Sequence, residues 1–235
     1  MHILCRLYPW SGTRVGGRET FLILFSCVSD FWSDRTPLHE AAYQGRLLQI
    51  RSLIVQGFHV DTLTMDRVSP LHEACLGGHY ACAKFLLDNG ANRSASIHTP
   101  HLLASPVHEA AKKGHRECLE LLLSYGADID MELPVVGTPL YSACMARAAA
   151  CVRLLLHSGA AVRIGCGQDS PLHAAVRGGG PNVVDILLDF GADECCRNAE
   201  GKTPLDLSSA NSAVRVGLQK KGTRCGHSRE LHKPI

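Results

Sequence analysis

The chain has 235 residues, with 24 Lys and Arg against 22 Asp and Glu, so its formal net charge is only +2. Hydrophobic residues make up 46% of it and charged residues 20%, a balance that excludes a disordered, collagen-like or low-complexity chain. The near-neutral charge also excludes a general nucleic-acid binder, which needs Lys and Arg concentrated on one face.

Residues 1–33 form an N-terminal segment whose distinctive feature is a short apolar run at 21–28, FLILFSCV. The run is far shorter than the roughly 20 residues that a membrane-spanning helix needs. As the core of a signal peptide it would follow a long polar leader, and Cys27-Val28-Ser29 is a weak cleavage signal. We therefore expect residues 21–28 to cover the exposed end of the structure that follows or to touch a membrane surface.

From residue 34 onward a block of four residues, Ser or Thr followed by Pro and two more, recurs six times. The copies are Thr36–His39, Ser69–His72, Ser105–His108, Thr138–Tyr141, Ser170–His173 and Thr203–Asp206. Their prolines are 33, 36, 33, 32 and 33 residues apart, and a glycine follows each of the first five prolines by 20 residues. Because length changes only in the connections, each 20-residue span is predicted to be a rigid structural unit.

Each block predicts the start of a helix, with the hydroxyl residue as N-cap and Pro at the first helical position. In the first copy this helix runs from Pro37 to about Gln44, and Gly45 ends it. The fourth copy has Arg147 at the stop position, which puts its turn in doubt. A second helix then carries apolar residues at i, i+3 and i+4, such as Leu119, Leu122 and Leu123, before the closing glycine.

Two short helices cannot bury their apolar faces alone, so neighbouring units must stack. The predicted fold is an all-α solenoid in which each unit of about 33 residues supplies a helix-turn-helix and a hairpin loop. The predicted units are 34–66, 67–102 with a lengthened hairpin, 103–135, 136–167, 168–200 and a partial capping unit at 201–222, followed by a basic tail at 223–235.

Eleven cysteines occur without the paired spacing of a zinc site. Cys82, Cys118 and Cys151 instead fall on the apolar stripe of the second helices, where a thiol behaves as a small hydrophobe. This pattern predicts reduced thiols and therefore a cytoplasmic, reducing location.

Thirteen histidines raise the question of metal binding or catalysis. His39, His72, His108 and His173 occupy one repeat position, so stacking separates them by whole layers and does not bring them to one ion. Glu40, Glu73 and Glu109 form a similar ladder, which we interpret as a solvated face. With no phosphate loop or nucleophile motif present, we expect no enzyme activity and no metal or cofactor.

Residues that do not build the core of such a stack define the candidate binding surface, near the end of each first helix and at the hairpin tips. The candidates are enriched in the aromatic, Met and Arg side chains that interface cores favour. They are Trp32, Arg35, Tyr43, Gln44, Met65, Asp66, Val68, Leu76, His101, Leu102, Lys112, Lys113, Met145 and Arg177.

The blocks and the LLL-x-x-GA-like tails resemble ankyrin repeats. Longer phrases, such as DRTPLHEAAYQGRLLQIRSLI at 34–54 and SPVHEAAKKGHRECLELLL at 105–123, resemble the ankyrin repeat and SOCS box family. The resemblance implies a substrate receptor of a cullin-RING ubiquitin ligase. Its repeats would hold a folded protein target on their concave surface, and a SOCS box would dock elongin B and C and a cullin.

The C-terminal residues depart from that pattern. After Lys221 the sequence reads GTRCGHSRELHKPI, with Lys221 and not Leu four residues before Cys225, so no elongin-binding motif can be drawn. The long connection at 91–105 is also where a repeat could have been lost. Two functions therefore stay open: a receptor that enters a ligase complex, and a stand-alone module or competitor that binds the target without recruiting the ligase.

Overall fold

The computed structural model describes residues 35–93, 105–208 and 213–221. All of them belong to the second of two compact units into which the chain divides, residues 35–235. The expectations for residues 1–33 and 223–235, including membrane contact by 21–28, lie outside the described residues. Among the described helices, none combines the length and the hydrophobicity needed to cross a bilayer.

The described residues form twelve helices arranged as six consecutive pairs. The first helices of the pairs are Pro37–Tyr43 (α1), Pro70–Gly77 (α3), Pro106–Lys113 (α5), Pro139–Met145 (α7), Pro171–Gly178 (α9) and Pro204–Leu207 (α11). The second helices are Leu47–Val55 (α2), Tyr80–Asp88 (α4), Arg116–Ser124 (α6), Ala149–His157 (α8), Pro181–Asp189 (α10) and Ala213–Lys221 (α12). Within these residues β pairing is limited to two isolated bridges, so the predicted all-α fold is confirmed.

Every first helix begins at the proline of its block, with the preceding Ser or Thr in an extended conformation. The predicted stops are also confirmed, because Gly45, Gly78, Gly114 and Gly179 all adopt positive φ. Arg147 takes the same left-handed conformation at φ +59, which costs a non-glycine residue about 1–2 kcal/mol. The turn that the sequence left in doubt therefore forms, with some strain.

Four of the six blocks contain a histidine that binds its own helix start, and three of these histidines also contact the next repeat. In His39, His72 and His173 the Nδ1 atom accepts a hydrogen bond from the backbone N–H of the N-cap residue, and it lies within 2.7–2.9 Å of that residue's hydroxyl oxygen. An accepting Nδ1 leaves the proton on Nε2. The Nε2 atoms of His39, His108 and His173 lie 2.9–3.1 Å from the carbonyls of Val68, Gly137 and Lys202, each directly before the next N-cap. These histidines therefore have a structural role in the repeat.

Helices stack in chain order, first helix against first helix and second against second. The core between them consists of fully buried leucines such as Leu71, Leu119 and Leu155, together with alanines that let the first helices approach closely. Cys75, Cys82, Cys118, Cys144 and Cys151 are buried free thiols, as expected, and Cys166 and Cys196 are also free. The expectation of reduced thiols is wrong at Cys195, which is disulfide-bonded.

Candidate protein-binding surface

The candidate residues at the ends of the first helices lie in a row, because each of these helix ends packs against the next. His79 Nε2 lies 2.7 Å from the Tyr43 carbonyl oxygen at the end of α1. A Cβ atom added to Gly77 would stand 2.9 Å from that same oxygen, and one added to Gly178 would stand 2.9 Å from the Met145 oxygen. Glycine at these two positions therefore permits close approach of consecutive helix ends.

Five of the predicted site residues in this row are exposed. Tyr43 and Met145 present 45% and 43% of their surface to solvent. Gln44, Lys112 and Lys113 are exposed beside them in the same layer. Leu76 is half-buried instead, and its carbonyl oxygen lies 3.1 Å from His115 Nε2. We call Tyr43, Gln44, Lys112, Lys113 and Met145 the first-helix surface.

Arg35, a predicted contact residue, is engaged within the chain. Its guanidinium forms an ion pair with Glu73 and lies 5.1 Å from the centroid of the Tyr43 ring. Glu73 is only 5% exposed, so the interpretation of Glu40, Glu73 and Glu109 as a solvated ladder is wrong at this position. Burial raises the pKa of Glu73, while Arg35 acts in the opposite direction. The pair joins the start of α1 to α3.

Arg177 is engaged in a similar way at the fourth and fifth pairs. Its guanidinium binds Asp169 through both nitrogens, with one of the two contacts at 3.3 Å. The Tyr141 hydroxyl, at the block position that is histidine in four other repeats, donates to the same carboxylate at 3.4 Å. Burial raises the pKa of Tyr141, and the charge of Asp169 adds to the effect. Arg177 is therefore paired within its own repeat before it meets any partner, and the Tyr141 hydroxyl joins the preceding repeat to the same carboxylate.

The hairpin tips contribute a second set of residues. Met65 is 83% exposed and Asp66 is exposed beside it, whereas Val68 is half-buried and its carbonyl accepts from His39. Trp32, His101 and Leu102 lie outside the described residues. Val135, which the repeat pattern does not single out, is 85% exposed at the corresponding hairpin of the third repeat. In the sequence, Val135 precedes its next block by nearly the same number of residues as Met65 does. This similar position could have identified Val135 as a hairpin-tip residue.

Val135 adopts a left-handed conformation with φ +72, although it is β-branched and makes little contact with its surroundings. The flanking residues Leu133 and Gly137 hold the turn through two reciprocal hydrogen bonds of 2.8 and 3.0 Å. The strain has no compensating packing within the described residues.

Replacing Val135 by Gly is expected to raise the free energy of unfolding by about 0.5–1 kcal/mol. Glycine removes the cost of about 1–2 kcal/mol that a non-glycine residue has in the left-handed conformation. Glycine also makes the unfolded chain more flexible, which lowers the free energy of unfolding by a smaller amount. Urea unfolding at neutral pH measures the difference. Val136→Gly is the matched control, since Val136 has no positive φ and is half-buried, and it should be destabilising. If Val135→Gly were less stable than the wild type, the backbone at Val135 would not be strained.

Comparison with known proteins agrees with this architecture. Family models described as "Ankyrin repeats (3 copies)" match residues 14–97 and 96–166, and "Ankyrin repeats (many copies)" matches 157–208. The chain is thus an ankyrin-repeat protein, whose fold serves protein–protein interaction. It is 50% identical to zebrafish (Danio rerio) ankyrin repeat and SOCS box protein 11, over 82% of this chain and 75% of that protein. It is 44% identical to the human protein of that name, over 92% and 76%. It belongs to the ankyrin repeat and SOCS box family.

A solved structure supports the same relation. The crystal structure of the human ASB11 ankyrin repeat domain superposes with a TM-score of 0.59 at 45% identity, covering 80% of this chain and 98% of that one. The alignment with human protein 11 spans 281 positions, more than the 235 residues of this chain. The relative therefore contains residues that have no counterpart here.

Proposed function

We propose that this chain recognises a folded protein target for a cullin–elongin–SOCS type ubiquitin ligase, and that the first-helix surface and the hairpin tips form the contact. The observation that carries the proposal is the row of exposed side chains that make no contribution to the core. Tyr43 and Met145 are large apolar groups held at fixed positions by packed helices, as interface anchors are. Met65 and Val135 extend the surface at the hairpins. Membership of the family supports the ligase context.

Lys112 and Lys113 place positive charge at the middle of the first-helix surface, beyond the reach of the ion pairs described above. An acidic patch on the target would therefore be attracted to the third repeat, while Tyr43 and Met145 on either side would bury apolar surface. Arg35 and Arg177 act differently, because their charges are already paired with Glu73 and Asp169. They stiffen the surface, and the lysines and apolar anchors supply the contacts.

The triple variant Tyr43→Ser, Met65→Ser, Met145→Ser is expected to weaken target capture at least about tenfold while leaving the fold intact. The target is first identified by affinity capture from cells with quantitative mass spectrometry, and its affinity is then measured with purified proteins. The control is Leu48→Ser, Val55→Ser, which removes two apolar residues of the second-helix layer that are more exposed than Tyr43 and Met145. Equal loss of affinity in both variants would contradict the assignment of the surface.

Recruitment of the ligase is tested separately, by size-exclusion chromatography of the chain with elongin B and C. Co-elution in a stoichiometric complex supports entry into the ligase. Target capture without elongin binding favours the stand-alone module or competitor that the residues after Lys221 suggested. A chain with an appended SOCS box serves as the positive control for assembly.

A further inference from the structure

Aromatic side chains join consecutive second helices at three junctions. The Arg51 guanidinium of α2 lies 5.1 Å from the centroid of the Phe85 ring of α4. The Tyr125 hydroxyl, directly after α6, donates to Asp88 of α4. The Phe190 ring, directly after α10, meets His157 of α8 edge-on, with centroids 5.0 Å apart and planes at 74°. An aromatic group thus covers the outer edge of each of these three junctions.

At the junction between α6 and α8, two serines occupy the repeat positions that hold the aromatic residue and its partner at the two neighbouring junctions. Ser158 stands 19 residues after its block proline, as Tyr125 and Phe190 do. Ser124 stands 18 residues after its proline, as Asp88 and His157 do. Because both partners are small, the described part of the α6–α8 junction lacks the aromatic contact found at the three junctions named above.

A groove of about 450 Å³ lies at this position. Leu123, Ile129 and Leu154 supply its apolar walls, and all three are only partly buried by the chain itself. The two serines and Glu120 supply its polar atoms. Its volume falls within the range of about 300–1,000 Å³ found for ligand pockets and exceeds what one aromatic side chain needs.

The polar atoms of the groove favour a hydrogen-bond donor as occupant. The Ser124 hydroxyl donates to the Leu121 carbonyl at 2.6 Å, so it presents acceptor lone pairs to the groove. Glu120 presents a carboxylate, and its ion pair with Arg116 is long, 4.0 Å, and exposed on both sides. An incoming N–H or O–H group is therefore matched, whereas an incoming carboxylate is repelled.

We propose that the groove between α6 and α8 receives a tryptophan or tyrosine side chain of a protein partner, taking the place that the chain's own aromatic groups occupy at the neighbouring junctions. The ring packs between Leu123, Ile129 and Leu154, and its N–H or O–H donates to Glu120 or Ser124. This docking site lies in the second-helix layer, separate from the first-helix surface. It does not depend on the function proposed above.

The test uses the full chain with labelled Leu and Ile methyl groups, observed by NMR during titration with the capped tripeptide Gly-Trp-Gly. We expect saturable shifts at Leu123, Ile129 and Leu154, with millimolar affinity as befits one side chain. The same peptide methylated at the indole nitrogen should bind at least about threefold more weakly, since it lacks the donor. Equal affinity of the two peptides would overturn the assignment of a donor-bearing partner.

Two variants test the location. Ser158→Phe should fill the groove, weaken peptide binding at least about tenfold, and raise the thermal midpoint by about 2 °C. Phe190→Ser should open a second groove between α8 and α10 and add peptide-induced shifts there. Binding that survives Ser158→Phe, or shifts spread over the whole surface, would overturn the proposal. Submicromolar affinity for free indole would also overturn it, because the groove would then belong to a small molecule.

Discussion

Lowering the pH from about 7.5 to about 4.5 is expected to remove about 2.5 kcal/mol from the free energy of unfolding through His108 alone. Burial lowers the pKa of His108 from its ordinary value of 6.5 to about 4, although the hydrogen bond with the Gly137 carbonyl acts in the opposite direction. Above pH 6.5 the imidazole is neutral in both states and the stabilisation is complete. Between pH 6.5 and 4 only the unfolded chain takes up the proton, so stability falls with pH.

The measurement is urea unfolding of the wild type and of His108→Gln at several pH values. The variant should be less stable at neutral pH, because it loses hydrogen bonds to Ser105 and Gly137 that are 2.8 and 3.0 Å long in the wild type. It should also lose less stability on acidification, so the two curves approach each other as the pH falls. His59→Gln, at an exposed histidine, is the control for the substitution itself. Parallel curves for His108→Gln would contradict the assignment.

The ends of the helices could be predicted from the sequence because they depend on neighbours in the chain. A hydroxyl residue before proline caps a helix, and a glycine in the left-handed region ends one, whatever lies further away. Arg147 shows the limit of that rule. Arginine rarely adopts the left-handed backbone conformation that ends a helix. Here the packing of α7 against α9 fixes the backbone, and Arg147 adopts that conformation in spite of its strain.

The candidate site could be predicted only in part, because exposure and pairing depend on how closely repeats approach. The repeat position that Tyr43 and Met145 share lies at the end of the first helix, and both side chains are exposed there, but Leu76 at the same position is half-buried. Whether Arg35 is available to a partner depends instead on the Glu73 carboxylate of the next repeat, and the availability of Arg177 depends on Asp169 in its own repeat. The spacing of the repeats reveals neither pair. The burial of Glu73 has the same origin, since Arg35 closes over it from the preceding repeat. The recurrence of glutamate at this repeat position does not show that one of them is paired with an arginine.

The variant Arg35→Met is expected to lower the free energy of unfolding by about 3 kcal/mol at neutral pH. It leaves the Glu73 carboxylate buried without its counter-charge, and removing one partner of a buried pair typically costs about 3–5 kcal/mol. The value falls at the low end because the Arg35 side chain is 32% exposed. Glu73→Gln should cost less, since the freed guanidinium can reach water. Chemical denaturation of the two single variants provides both numbers.

The double variant Arg35→Met, Glu73→Gln separates the pair from other effects of the substitutions. A neutral amide in the place of the carboxylate needs no counter-charge, so the double variant should be more stable than Arg35→Met alone, with a coupling energy of about 1–3 kcal/mol. Arg116→Met provides the contrast, because its pair with Glu120 is exposed on both sides and should contribute less than about 1 kcal/mol. Additive single effects, or equal losses in Arg35→Met and Arg116→Met, would show that Glu73 does not depend on Arg35. In that case Arg35 would be available to the target, and the first-helix surface would extend to the start of α1.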